Sequence, residues 1–119
     1  LMQLSKNFHS QEFECGRGCG LSGTNMSEEF IDKLQKIRAQ IDFPLIVTSG
    51  IRCKSHNKKV KGSPRSKHLL GIAADFYLTN SFDRYELVSL AIDYGLSVGV
   101  GVDFIHLDMR KSAPVLFGY

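Results

Sequence analysis

His68, Asp75 and His106 are the residues of this chain whose types and placement could do chemistry. The first two lie in Ser66-Lys67-His68-Leu69-Leu70-Gly71-Ile72-Ala73-Ala74-Asp75-Phe76. After Gly71, the run Ile72 to Leu78 reads as a buried strand, being apolar, short and free of breakers. A carboxylate in the middle of such a run is costly to bury unless a cation or several donors neutralise it. Backbone N–H groups, an arginine or a metal ion shared with His68 could each do so, and His68 taken alone could be an exposed loop residue. A second apolar run, Val102 to Arg110, is interrupted by acids and by His106. Two such strands lying side by side would bring His68, Asp75 and His106 together. Two imidazoles and one carboxylate leave a fourth position open for water, as catalytic zinc requires. Structural zinc instead closes its shell with four protein ligands, mostly cysteines.

The elements that must position these residues follow from the rest of the chain. With 119 residues and 43% apolar content there is material for one domain with one core, expected to span residues 1–119. Leu4 to Phe13 reads as a lead-in segment, with Ser10 capping a short helical turn and Phe8 and Phe13 as anchors. The glycine-rich piece from Gly16 to Gly23 is expected to be a loop. Ser27-Glu28-Glu29 opens a helix whose buried stripe is Phe30, Leu34, Ile37 and Ile41, and Asp42-Phe43-Pro44 stops it. Leu45 to Thr48 is a strand ended by Ser49-Gly50. A second helix is expected from a Ser81 cap to Gly95, with Tyr85, Val88 and Ile92 on one face. Residues 97–101 and 104–109 read as a hairpin or bent ribbon. Lys111 to Tyr119 is expected to be a tail that folds Leu116, Phe117 and Tyr119 back onto the domain. The order predicts an α+β fold, with helices against a small, mainly antiparallel sheet.

Charge and cysteine usage narrow the function classes. The net charge is +3, yet Arg52, Lys54, Lys58, Lys59, Lys61, Arg65 and Lys67 form a segment without a single acid. Such a segment is either a solvated loop or an attractor for an anionic polymer. Nucleic acid is disfavoured, because no aromatic residues are interleaved with these charges as a stacking surface. No apolar run approaches the roughly 20 residues needed to span a bilayer. Leu1 to Lys6 lacks the pattern of a secretory signal, so an export signal has been removed or the protein leaves by another route. Leu1 ahead of Met2 leaves room for a neighbouring module. Cys15 and Cys19 are close enough to bridge, or to hold a metal with other ligands, which leaves Cys53 over. The odd count argues against a disulfide scaffold and favours reduced, non-catalytic thiols. His9 and His56 are expected at the surface, His56 being the one spare ligand candidate.

Taken in order, Ser49-Gly50-Ile51-Arg52, then Asn57, Val60 and Gly62, then Ser66 to Asp75, then His106-Leu107-Asp108 resembles the LAS metallopeptidases. Within that group the chain is most similar to the zinc D-alanyl-D-alanine carboxypeptidases and the phage L-alanyl-D-glutamate endopeptidases. The family motifs are S-G-Y-R, S-x-H-x-x-G-x-A-x-D and H-x-D, and Ile51 stands where tyrosine is usual. The resemblance covers roughly residues 4 to 110 and implies a hedgehog/D-Ala-D-Ala-peptidase-like fold. It implies that His68, Asp75 and His106 bind Zn²⁺ and that Asp103, three residues before the last ligand, is the general base. Residues three apart on a regular strand face opposite ways, so Asp103 and His106 converge only across a bulge or turn. Gly99 and Gly101 just upstream make one plausible.

Arg52 matches the family arginine, suited to a developing oxyanion or a substrate carboxylate; a surface salt bridge is the other reading. Ser66 is expected to donate to substrate or to orient the site. Asp108, on the same strand face as His106, is expected to hold it or a substrate amine. The implied function is hydrolysis of amide bonds in bacterial peptidoglycan stem peptides, D-Ala–D-Ala or L-Ala–D-Glu, by a phage or prophage lysis enzyme or a bacterial relative. It would act on the cell wall, as a monomer, after release from the cytoplasm or as a processed secreted chain. The alternative is a non-catalytic zinc-binding interaction module of the hedgehog type.

Overall fold

The computed structural model describes residues 2–16 and 19–119; the expected loop from Gly16 to Gly23 therefore includes two residues, Arg17 and Gly18, outside the described ones. Helix α1 spans Glu28–Arg38. Ser27 caps it, its hydroxyl accepting from the Phe30 N–H, while Glu28 and Glu29 occupy the positive end of the helix dipole. Phe30, Leu34 and Ile37 are buried as the spacing predicts, and Ile41 is buried in the turn that follows the helix. Helix α3 spans Ser81–Asp93, but its cap is Asn80, whose side chain accepts from the Asp83 N–H, and not Ser81. Its expected face is also corrected. Tyr85 and Ile92 are exposed, and the helix buries Leu87 and Ala91, with Val88 and Leu90 packed beside them.

Five strands form one mixed sheet: β1 Ile46–Ser49, β2 Ala73–Tyr77, β3 Ser97–Val100, β4 Phe104–Asp108 and β5 Leu116–Gly118. They lie in the order β1-β2-β4-β3-β5. The β1–β2, β2–β4 and β3–β4 pairs are antiparallel, and β5 adds a parallel strand against β3. The α+β expectation holds, and the tail that was expected only to fold back is an edge strand. The segment expected to be a basic loop contains a short helix, α2 (Lys54–Lys59). Among the described residues no helix is long and apolar enough to cross a membrane.

Side chains alternate between the two faces of the sheet. Ala74 and Phe76 on β2, Val98 on β3, and Ile105 and Leu107 on β4 share one core with Phe30, Leu34 and Ile37 of α1 and Leu87 and Ala91 of α3. The opposite face carries Asp75, His106 and Asp108. Register aligns Ser49, Asp75, His106, Gly99 and Phe117 as one row across all five strands. Two glycines set this face. Gly71 closes the turn after His68 in a left-handed conformation (φ 69°). Its carbonyl accepts from the Ser27 N–H at 2.8 Å, and a Cβ there would lie 2.7 Å from the Asn25 carbonyl oxygen. Gly99 lies under the Phe117 and Tyr119 rings, which a Cβ would meet at 2.7–2.8 Å.

Gly71→Ala is therefore expected to lower stability by about 1–3 kcal/mol, combining left-handed backbone strain with the Asn25 clash. Urea denaturation reads this as a lower midpoint with an unchanged slope; a midpoint equal to that of the parent would contradict the assignment.

Candidate metal centre

Strand pairing and one tight turn assemble the centre. Asp75 and His106 are direct cross-strand partners on β2 and β4. His68 arrives from a 3-10 turn, Lys67–Leu70, capped by Ser66, whose hydroxyl accepts from the His68 N–H. All three side chains are buried. Asp75 Oδ1 lies 3.2 Å from His68 Nε2 and 2.8 Å from His106 Nδ1.

The outer nitrogens of both rings are already engaged. His68 Nδ1 lies 2.7 Å from the Gly50 carbonyl, which can only accept, so Nδ1 carries the hydrogen. His106 Nε2 lies 2.8 Å from Asp108 Oδ2. Asp108 is solvent-inaccessible and gripped by Arg110, whose Nε donates to Oδ1 at 2.9 Å and Nη2 to Oδ2 at 2.6 Å. Burial pushes the Asp108 carboxyl up, but Arg110 and His106 outweigh it and hold the group well below the usual carboxylate range. Asp108 is thus an acceptor, and His106 donates Nε2–H to it. Each neutral ring then turns a lone pair toward the Asp75 carboxylate. Three acceptor atoms meeting in this way need either an extra proton on a ring or a cation among them. Two imidazole nitrogens and a carboxylate oxygen at these separations fit a tetrahedral divalent ion, whose bonds of about 2.0–2.2 Å give ligand edges of about 3.3 Å.

The protonation energetics agree. Burial raises the Asp75 carboxyl, but hydrogen bonds and charge from His106 and His68 hold it well below its ordinary range. Burial lowers the His106 imidazolium, yet Asp108 and then Asp75 outweigh that, so its pKa lies above the ordinary 6.5.

A cleft of about 660 Å³ opens above the centre. Arg52, Lys61, Arg65, Lys67 and Arg110 line it together with His68, Asp75 and His106. Arg52 Nη2 lies 3.7 Å from Asp75 Oδ2. Its fork is held by Nε donating to Ser49 Oγ at 3.1 Å and Nη1 to Asn57 Oδ1 at 3.2 Å. Asn57 is buried on α2 and donates to the Ser63 carbonyl, so the short helix exists to hold the arginine and the cleft rim. Ile51 is a buried core residue.

Of the residues singled out from the sequence, His68, Asp75, His106, Asp108, Arg52 and Ser66 come together. Asp103 does not join them: it is exposed in the turn between β3 and β4, outside the cleft lining, and its carbonyl accepts from the Leu78 N–H at 2.9 Å. Because Asp103 belongs to a turn, strand parity with His106 does not apply to it. Sequence reasoning missed Arg110, Phe104, Phe117 and Tyr119 as cleft residues. Arg110 was signalled by its spacing two residues after Asp108. The aromatic wall was not signalled, since Phe117 and Tyr119 reach the site only through the β3–β5 pairing. Their rings stand 5.7 and 6.3 Å from that of His106.

A model of the Peptidase M15 family matches residues 6–108, a span that contains every residue of the centre except Arg110 and the two β5-side aromatics. The chain belongs to this family. M15 peptidases are LAS-superfamily metallopeptidases, metal-dependent and usually zinc enzymes, and the His68–Asp75–His106 group is where this M15 chain could hold its ion. No curated protein matches the chain.

Two linked outcomes are expected of this M15 centre. Protons and metal compete for His106 Nδ1, so zinc affinity should fall as pH drops through the raised His106 pKa, starting above 6.5. Asp108→Asn removes the largest upward cause of that shift and loosens the ring, so affinity should fall about 10–100-fold with its pH fall-off moved lower. Chelator-competition titrations across pH measure both, and an unchanged affinity in the variant would refute the role given to Asp108.

Proposed function

We propose that this M15 chain is a zinc peptidase, folded as one catalytic domain, that hydrolyses amide bonds in peptidoglycan stem peptides. The supporting observation is the buried His68–Asp75–His106 group beneath a cleft rimmed by Arg52, Lys61, Arg65, Lys67 and Arg110. Stem peptides are short, extended and rich in carboxylates, and a cation-lined cleft concentrates such ligands. The two bonds that fit are the terminal D-Ala–D-Ala bond and the L-Ala–D-Glu bond, each beside a carboxylate that Arg52 could grip with two parallel hydrogen bonds. Such an enzyme would serve as a phage or prophage lysis enzyme or as a bacterial relative acting on the same wall.

His68 Nε2, an Asp75 oxygen and His106 Nδ1 would hold the ion. Bound there, zinc supplies a Lewis acid and lowers the pKa of water. The remaining work falls to the chain. Arg52, fixed by Ser49 and Asn57, presents a permanent charge to the carbonyl oxygen as it becomes an oxyanion. Asp108 and Arg110 hold the His106 ring and its tautomer. Ser66 fixes the turn that delivers His68. Phe104, Phe117 and Tyr119 form an apolar wall that limits water, and the Tyr119 phenol adds a donor at the rim. Asp103, one residue before Phe104, is the general base in this reading, taking a proton from the attacking water and returning it to the leaving amine.

The test is digestion of purified sacculi, with mass spectrometry of the fragments and a count of new amines. Cleavage should release either free alanine or a new glutamyl amine. Activity should vanish in His68→Ala and fall about 10²–10⁴-fold in Asp103→Ala. Full activity in Asp103→Ala would remove that residue from the mechanism. A zinc-loaded parent that cuts no wall chemotype would favour the hedgehog-type binding module.

A further inference from the structure

We propose that Cys15, Cys19 and Cys53, with the His56 ring beside them, form a second metal site that holds a structural zinc ion apart from the His68 centre. The three sulfurs come from two segments remote in sequence, yet all lie within 4.8 Å of one another. Cys15 Sγ and Cys53 Sγ are 3.7 Å apart. A tetrahedral zinc with Zn–S bonds of about 2.3 Å has S···S edges of about 3.8 Å, whereas a disulfide requires about 2.05 Å.

The local fold brings the donors together. The Ile51 N–H donates to the Phe13 carbonyl at 3.1 Å, which sets the stretch leading to Cys15 beside the one leading to Cys53. The Cys15 N–H donates to the Leu21 carbonyl at 2.9 Å, closing the loop that carries Cys19 back toward Cys15. Cys53 caps α2, its sulfur accepting from the His56 N–H at 3.4 Å. The His56 ring packs against the loop itself, since a Cβ on Gly16 would meet its Cε1 at 2.9 Å and its Nδ1 at 3.5 Å. Cys-x₃-Cys from one segment and Cys53 from the other thus converge on one point, with the His56 ring against Gly16 next to it.

Donor chemistry separates this site from the catalytic one. Three thiolates make a soft, carboxylate-free set of the structural kind, and a turn of the neighbouring His56 ring would close its fourth position. Zinc with three thiolates carries a net negative charge, and Arg52, Lys54, Lys58 and Lys59 flank Cys53 and His56 in the sequence as cations that would offset it. The ion would clamp the N-terminal loop to the start of α2, the element that carries Asn57 and follows Arg52. Its role is to hold the cleft arginine's support, and it does not depend on which bond the enzyme cuts.

Cobalt substitution of the full chain tests this without reference to activity. The expected result is two cobalt ions per chain and a thiolate-to-cobalt charge-transfer band in the near ultraviolet. Cys19→Ser, a change at an exposed residue, should abolish or strongly weaken that band and reduce the count to one. His68→Ala should also reduce the count to one while leaving the band intact. On the zinc form, a mercurial thiol reagent should release one zinc per chain and leave the other bound. The proposal is overturned if wild-type protein shows no charge-transfer band, or if Cys19→Ser retains two ions. It is equally overturned if the metal-loaded chain, purified without reductant, is two hydrogens lighter through a Cys15–Cys53 disulfide.

Discussion

The Asp75 carboxylate, buried at the centre of the sheet between two imidazoles, is the constraint to which the rest of the structure answers. In an apolar strand an unneutralised carboxylate would be among the most destabilising groups a small domain could carry. Here β2 is flanked by β1 and β4, so its neutralising partners must come from the adjoining strand or from a turn reaching over the edge. His106 supplies the first and His68 the second. Gly50, Asp108 and Arg110 exist in turn to hold those rings with their lone pairs inward. A divalent ion held at that point would neutralise the carboxylate that the fold otherwise leaves to the two rings and Arg52.

The sheet makes this possible by having two unlike faces. The helices α1 and α3 cover one face and supply the hydrophobic stabilisation. That leaves the other to carry Asp75, His106 and Asp108, with the cleft and its basic and aromatic lining above His106 and Asp75. The row Ser49, Asp75, His106, Gly99 and Phe117 shows how register converts chain order into a site: polar residues at its middle, a glycine where aromatics must approach, and an aromatic at its far edge. The basic segment after β1 was ambiguous as composition. In three dimensions four of its cations, Arg52, Lys61, Arg65 and Lys67, join Arg110 at the cleft, and an electropositive approach to the centre results.

What could be read from the residues alone, and what could not, divides along physical lines. Helix α1 was legible because a serine cap, two acids and a clean apolar stripe all agree. Strands β2 and β4 were legible because their buried polar residues are conspicuous against apolar neighbours. Helix α3 misled because apolar residues lie on two of its sides: Tyr85 and Ile92 match the helical period as well as Leu87 and Ala91 do, and only packing chooses between them. Helix α2 has no apolar stripe; short-range bonds to the Cys53 sulfur and among Arg52, Asn57 and Ser63 sustain it, and hydrophobic periodicity carries no sign of them. Strand β5 is three residues long and exists because Gly99 leaves room for Phe117. Asp103 is the opposite case, a residue picked by motif position that the fold sets in an exposed turn beside the cleft residue Phe104, where motif position and not burial is what singles it out. The cysteines were read as an odd leftover because Cys53 joins Cys15 only through the pairing of Ile51 with Phe13.

The central claim is that the ion sits among His68 Nε2, an Asp75 oxygen and His106 Nδ1, with His106 Nε2 still bonded to Asp108. Diffraction from zinc-loaded crystals at the zinc absorption edge addresses it directly. The account predicts an anomalous peak about 2.0–2.2 Å from each of those three atoms. A zinc-loaded crystal with no peak there, or with the His106 ring turned so that Nε2 binds the ion and Asp108 is released, would contradict it.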